Sequence, residues 1–237
     1  DLSRAEALVM EARALSEPGV AAYHGLPLAE GMLRFIENDM TGAENLLREA
    51  RMLCKSAGDH ISEFQANEYL ALAELECGRY EAARERAEVL AELGSKIREG
   101  SEGPFGQALV GLCALALDGD RQQLDTAVTA LREADAKYRL AYVQNRAATL
   151  DLESGRLDSA SARAEEALHC ATLMERTSEM LIARGTLSAA ADALGRSGEA
   201  LAHQKEVAPL LAAAPAAWAV RRVQDQLPGL GEPLEES

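Results

Sequence analysis

The residues able to do acid–base, metal or nucleophilic chemistry in this 237-residue chain are scattered. His24, His60, His169 and His203 lie far apart, and none has a second His or an acidic residue in an HExxH-like frame. Cys54, Cys77, Cys113 and Cys170 lack CxxC spacing and sit in apolar helical contexts, so they read as small buried hydrophobes rather than ligands or disulfides. Glu81–Glu85 and Glu88–Glu92 read as solvated helix faces. Glu74–Glu76 and Glu165–Glu166 have arginine neighbours, which favours ordinary ion pairing over paired general acids. No glycine loop matches GxxxxGK[ST], and no GxGxxG opens a helix after a strand. No base is positioned beside a Ser or Cys nucleophile. The expectation is a non-catalytic chain with no catalytic residue, no metal and no cofactor.

The elements that hold these residues are more informative. Five connectors precede a helix with a small or apolar residue at a fixed offset. They are Asn38–Ala43, Gly78–Ala83, Gly119–Leu124, Gly155–Ala160 and Gly195–Ala200. A truncated sixth copy opens the chain with Ala5 in register, and the anchors recur every 36 to 41 residues. A repeat of this length points to stacked helix pairs, each burying its face against its neighbours. With 48% hydrophobic but only 4% aromatic residues, the chain favours closely approaching helices over sheets. The expected fold is all-α: a right-handed α-solenoid of antiparallel helix pairs, one array over 1–227. A partial repeat spans 1–16, broken at Pro18–Gly19. About five pairs follow over 18–213, then a cap helix over 215–227 and a disordered tail over 228–237.

Within the array, Pro27 fits only the first turn of its helix. Thr41 with Glu44 reads as a capping box. The polar stretch Glu99–Pro104 reads as a longer inter-repeat loop. The last helix lacks a partner, and its Trp218 is either core of the cap or an exposed anchor. The chain begins at Asp1 in mid-repeat, which reads as a piece of a longer protein.

The pattern resembles the tetratricopeptide repeat. Gly78, Gly155 and Gly195 match its connector glycine, and Ala83, Ala160 and Ala200 its small residue on the second helix. Leu70 and Ala71 fall at its Leu-Gly pair, and Tyr80 and Leu157 at the large residue after the turn. The period exceeds the usual span of about 34 residues, and the early Trp, mid-helix Tyr and closing Pro are mostly missing. Longer Ala-rich copies of this kind look like the C-terminal arrays of large bacterial regulators: STAND-type ATPases, LuxR-type activators and cyclase-associated arrays.

The resemblance implies a concave face built from each first helix. Its register places there Gln65, Glu68, Leu72 and Glu76, then Tyr142, Asn145, Thr149 and Glu153. Met32, Phe35, Ile36, Leu109, Cys113, Leu117, Ile182, Ala189 and Asp192 take equivalent positions, the apolar ones serving equally as core between repeats. Such a face could receive an extended peptide or an amphipathic helix. The family's Lys/Arg carboxylate clamp is not evident. The net charge of −15 and pI near 4.8 oppose direct nucleic-acid and anionic-membrane binding and favour a basic or neutral ligand.

The leading expectation is therefore a protein- or peptide-binding scaffold, the sensor or interaction arm of a larger cytoplasmic signalling or transcription regulator. The alternatives are a small-ligand (inducer) sensor using Tyr142 and Asn145 beside an apolar wall, and a self-association module forming a homodimer.

Overall fold

A computed structural model describes residues 2–14, 24–97, 100–213 and 215–228. The expected break at Pro18–Gly19 and nearly all of the expected tail over 228–237 lie outside the described residues. Those residues hold twelve α-helices and no strand, so the all-α expectation holds. No described helix is long and apolar enough to cross a membrane.

The chain divides into two compact units, one ending at Ala130 and the other starting at Leu131. The first contains α1 (Leu2–Ala14), α2 (Gly25–Ile36), α3 (Met40–Ala57), α4 (His60–Glu76), α5 (Tyr80–Ile97) and α6 (Glu102–Asp118). The boundary falls within α7 (Gln122–Glu133). The second unit continues with α8 (Lys137–Glu153), α9 (Leu157–Leu173), α10 (Thr177–Ala193), α11 (Ser197–Ala212) and α12 (Ala217–Gln226).

One device ends most of these helices. A residue in the left-handed region stops the helix, and the next residue's N–H reaches back to a carbonyl five or six residues earlier, satisfying part of the orphan C-terminal turn. In the first unit the left-handed residues include Asn38, Gly58 and Gly78, and in the second Asp135, Gly155, Glu175 and Gly195. The back-bonds run from Asp39 to Arg34, Asp59 to Cys54, Arg79 to Glu74, Ala136 to Leu131, Arg156 to Asp151, Arg176 to Ala171 and Arg196 to Ala191. Within each of these runs the step is twenty residues, so the unit of construction is one helix and its turn. The sequence pattern of about forty residues arises because glycine marks chiefly the turn inside each pair. Asn38, Asp135 and Glu175 bear the strain of a left-handed backbone with a side chain attached.

Short connectors force each helix back along the previous one. In the first unit α2 to α6 each pack on the next, and α2 also touches α4. In the second α8 to α11 do the same, and α8 also touches α10. Small residues set the spacing. A side chain at Gly106 would meet the Ala91 backbone nitrogen at 2.5 Å, so α5 and α6 cross in close contact. The core is aliphatic, built from Leu47, Leu70, Leu90, Leu109 and Leu112 in the first unit and Leu140, Leu181 and Ile182 in the second.

Three local expectations need correction. The cap of α3 is Asp39, whose carboxylate accepts the Gly42 N–H at 2.9 Å. Asn38 ends the turn so early that Thr41 is already helical. Glu102–Pro104 form the first turn of α6, where a missing proline N–H costs no hydrogen bond, so the expected loop is shorter than Glu99–Pro104. Cys77 is exposed at the end of α4, whereas Cys54, Cys113 and Cys170 are buried.

Candidate functional site

The two stripes of site residues lie in different units. On α4, Gln65 is exposed, Glu68 and Leu72 are buried at the edge of the core, and Glu76 is half-buried. The same stretch buries Glu74, which receives a two-pronged bond from Arg86 on α5 (Nε at 2.9 Å, Nη2 at 2.8 Å). Phe35 on α2 meets Tyr69 edge-on at 5.5 Å, which places Phe35 in the packing between first helices. Leu109 and Cys113 are likewise buried, while Leu117 is exposed.

On α8, Tyr142, Asn145 and Thr149 are buried and Glu153 is exposed. Asn145 is 0% exposed, and its amide nitrogen donates to both the backbone carbonyl (2.9 Å) and the carboxylate (2.6 Å) of Glu179 on α10. Two acceptors fix which end of the amide points at Glu179. The other end, Oδ1, is buried without a hydrogen-bond partner among the described residues.

Helix α12 covers this stripe. Trp218 stands 6.5 Å from Tyr142 in an edge-to-face arrangement. Between them runs Arg146, its guanidinium 5.0 Å from the Tyr142 ring and 4.9 Å from the Trp218 ring, a cation shared by two aromatic faces. At the other end of α12 the Gln226 amide donates to the hydroxyls of Thr186 on α10 (3.1 Å) and Thr149 on α8 (3.3 Å). The Ala216 N–H donates to Ser178 Oγ at 2.9 Å, satisfying one donor ahead of the helix. Gly185 makes room between these ends. A Cβ there would sit 3.0 Å from Val223 and 3.1 Å from Gln226 Oε1.

The position of α12 corrects one expectation. A cap continuing the stack would rest on the last pair alone, whereas α12 reaches residues of α8, 77 positions back at Thr149–Gln226. It therefore lies across the face that α8 and α10 share. Trp218 is buried there at 7% exposure.

Behind this face runs a polar ladder that ties α8 to α9. Asp151, wholly buried, accepts from Arg156 Nε (2.8 Å), Arg163 Nε (3.1 Å) and Ser159 Oγ (2.5 Å). Arg163 also donates to Gln144 at 2.9 Å, Gln144 donates to Glu166, and Arg132 grips Glu166 with two bonds of 2.6 and 2.7 Å. The Arg132 bonds are the main reason the Glu166 carboxyl sits below the usual range, and burial opposes them. Asp151–Arg163 and Glu74–Arg86 occupy equivalent places, each carboxylate twelve residues before its arginine.

Several of the other titratable groups pair with neighbours or are buried. His24 bonds the Asp59 carboxylate at 2.8 Å, and His203 lies 3.0 Å from Arg184. Burial pushes the Cys113 thiol up to about 12, and burial is also the main reason the Cys54 and Cys170 thiols are raised, so none of the three is a ready thiolate. Among the described residues no group of three or more His, Cys, Asp or Glu is placed to hold a metal ion.

Sequence reasoning missed Arg146, Ser178, Gly185, Thr186 and Gln226. One signal was available. Counting forty residues from Asn145 reaches Gly185, a glycine in mid-helix at the register of a groove residue.

No family model matches the chain, and no curated protein matches it in sequence. Among solved structures, BtubC (BKLC) from P. vanneervenii is similar, with a TM-score of 0.55 over 90% of each chain at 20% identity. At that identity the likeness is one of fold, all-helical in both.

Proposed function

We propose that this chain is a non-catalytic scaffold of tetratricopeptide-like helix pairs, arranged as a right-handed α-solenoid, that binds a protein or peptide on its first-helix faces. The observation that carries this reading is the seating of α12 across α8 and α10. That face holds an amphipathic helix by an aromatic–cation anchor at one end and a side-chain amide at the other. Surfaces that accept a helix in this way combine apolar pockets with a few placed polar groups. The net charge of −15 favours a basic or neutral partner over nucleic acid or an anionic membrane. The setting that suits such a module is the interaction arm of a larger cytoplasmic bacterial regulator.

On α4 the exposed Gln65 offers the test. A photo-crosslinking residue placed at Gln65 should form an adduct with one protein from the source cell extract, whereas the same residue at Met52, exposed on α3, should not. No adduct at Gln65, or the same adducts at both positions, would refute the reading. The small-ligand reading has less support here, because Tyr142 and Asn145 are already engaged with Trp218 and Glu179.

A further inference from the structure

We infer that α12 is a resident, displaceable occupant of the α8–α10 face, and that the face's partner is an amphipathic helix of another protein built on the same plan. That plan has a large aromatic residue, a β-branched residue five positions on and a glutamine eight positions on, with basic residues between them. The inference rests on the proposed peptide-binding reading and specifies its ligand.

Four observations lead to it. First, α12 spans two first helices instead of extending the stack, which is the placement of a ligand and not of a further rung. Second, its hold is modest. The helix has ten residues, of which Trp218, Ala219 and Val223 are buried, and a helix of that length is marginal on its own. Third, its contacts are of the selective kind. A cap needs only an apolar floor, yet Gln226, Ser178, Thr149 and Thr186 make side-chain hydrogen bonds that fix register. Fourth, the fit is incomplete. Asn145 lies on the stripe between Tyr142 and Thr149, and its buried Oδ1 has no hydrogen-bond partner among the described residues. A helix with a donor between its aromatic and its amide would supply one.

Charge and tethering identify the source. Helix α12 carries Arg221 and Arg222 against one Asp225, a basic segment on a chain of net charge −15. A second copy's α12 is a poor competitor, because the resident helix is joined to α11 by a few residues and is present at a local concentration in the millimolar range. A partner helix wins only by fitting better, for which the unsatisfied Asn145 Oδ1 leaves room. While α12 is seated, the apparent affinity for any other helix is reduced by the fraction of chains in which the face is open.

The test uses the full chain and a dye-labelled peptide of residues 215–228, followed by fluorescence anisotropy. Trp218→Ala in the chain weakens the resident helix while the peptide still brings its own Trp. The variant should bind the peptide at least tenfold more tightly than the unmodified chain does. Adding Thr149→Val should reverse several-fold of that gain, and a peptide carrying Trp218→Ala should not bind. A folded Trp218→Ala chain that ignores the peptide, or binds it no better than the unmodified chain, would overturn the inference. So would dimers of the unmodified chain formed at micromolar concentration by exchange of α12, which would make a second copy the occupant. Hydrogen exchange on the unmodified chain decides the matter if the variant misfolds. Amides of α12 should exchange at least a hundredfold faster than those of α10, and equal protection would overturn the inference. Failure here with an adduct at Gln65 would leave the scaffold reading standing, whereas the absence of that adduct would end it.

Discussion

Asp151 is where a single side chain should cost the second unit most. Its carboxylate is 0% exposed and receives two arginines and a hydroxyl. Asp151→Ala deletes all three bonds, but the consequences differ by donor. Arg156 is 35% exposed at its side chain and can turn to water, and Ser159 is half-buried. Arg163, at 9%, cannot follow, and it keeps only Gln144 of the bonds described above. Removing the carboxylate that faces a buried guanidinium costs about 3–5 kcal/mol, a large part of a domain stability of about 5–15 kcal/mol. Urea unfolding followed by circular dichroism should show the midpoint falling by more than about 1 M, given slopes of about 1–3 kcal/mol per molar. Glu166→Gln is the control, because its ion pair with the half-exposed Arg132 should contribute no more than about 1 kcal/mol. Replacing both members, Asp151→Leu with Arg163→Met, should recover most of the loss, since the desolvation of both charges disappears with them. An Asp151→Ala cost below about 1 kcal/mol, or a double variant as unstable as the sum of the singles, would refute this account.

Glu175→Gly should stabilise the chain by about 0.5–1 kcal/mol, because Glu175 is exposed and holds a φ of 52°, and relief of that strain exceeds the entropy glycine adds to the unfolded chain. Thermal melting should show a rise of about 1–4 °C, and a fall would contradict the turn argument. Gly106→Ala should destabilise by about 1–3 kcal/mol despite alanine's better helix propensity, since its Cβ would press on the Ala91 backbone; an unchanged chevron would show that α5 and α6 part freely. His203 should titrate below the ordinary histidine range, first because it is buried and second because Arg184 stands beside it. The unfolded chain then binds that proton first, so stability should fall as pH drops below about 6.5; proton NMR of His203 gives the midpoint, and Arg184→Gln should raise it.

The all-α class and most helix limits were legible because glycine marks the turn inside four of the helix pairs and apolar residues recur at helical spacing. The twenty-residue step was not legible. Gly58 apart, its other turns use Asn38, Asp135 and Glu175, which mark a left-handed backbone far more weakly than glycine does, so the step shows only in the back-bonds from Asp39, Ala136 and Arg176. The cap of α3 was misplaced because the connector Asn38–Ala43 was placed but not its end: the turn closes at Asn38, which moves the start of the helix onto Met40. Cys77 was misjudged because the apolar run of α4 continues to its last turn, where the helix leaves the core. On the candidate faces, helical spacing could place Tyr142, Asn145 and Thr149 on one stripe. It could not show what lies over them, because that depends on pairings such as Thr149–Gln226, 77 residues apart.

The contrast between equivalent positions explains what the repeat register leaves undecided. Gln65 on α4 and Tyr142 on α8 share one register, yet the first is exposed and the second lies under Trp218. The register fixes direction along a helix, and the amino acid at each rung fixes whether another helix can approach. On α10 the rung equivalent to Asn145 is Gly185, where glycine costs the helix about 1 kcal/mol relative to alanine. It lies in mid-helix without a left-handed backbone. Its Cβ position is filled instead by Val223 and Gln226 of α12. A mid-helix glycine at the position of a groove residue, with α12 nearest its Cβ site, therefore lets that helix lie close against the second unit's face.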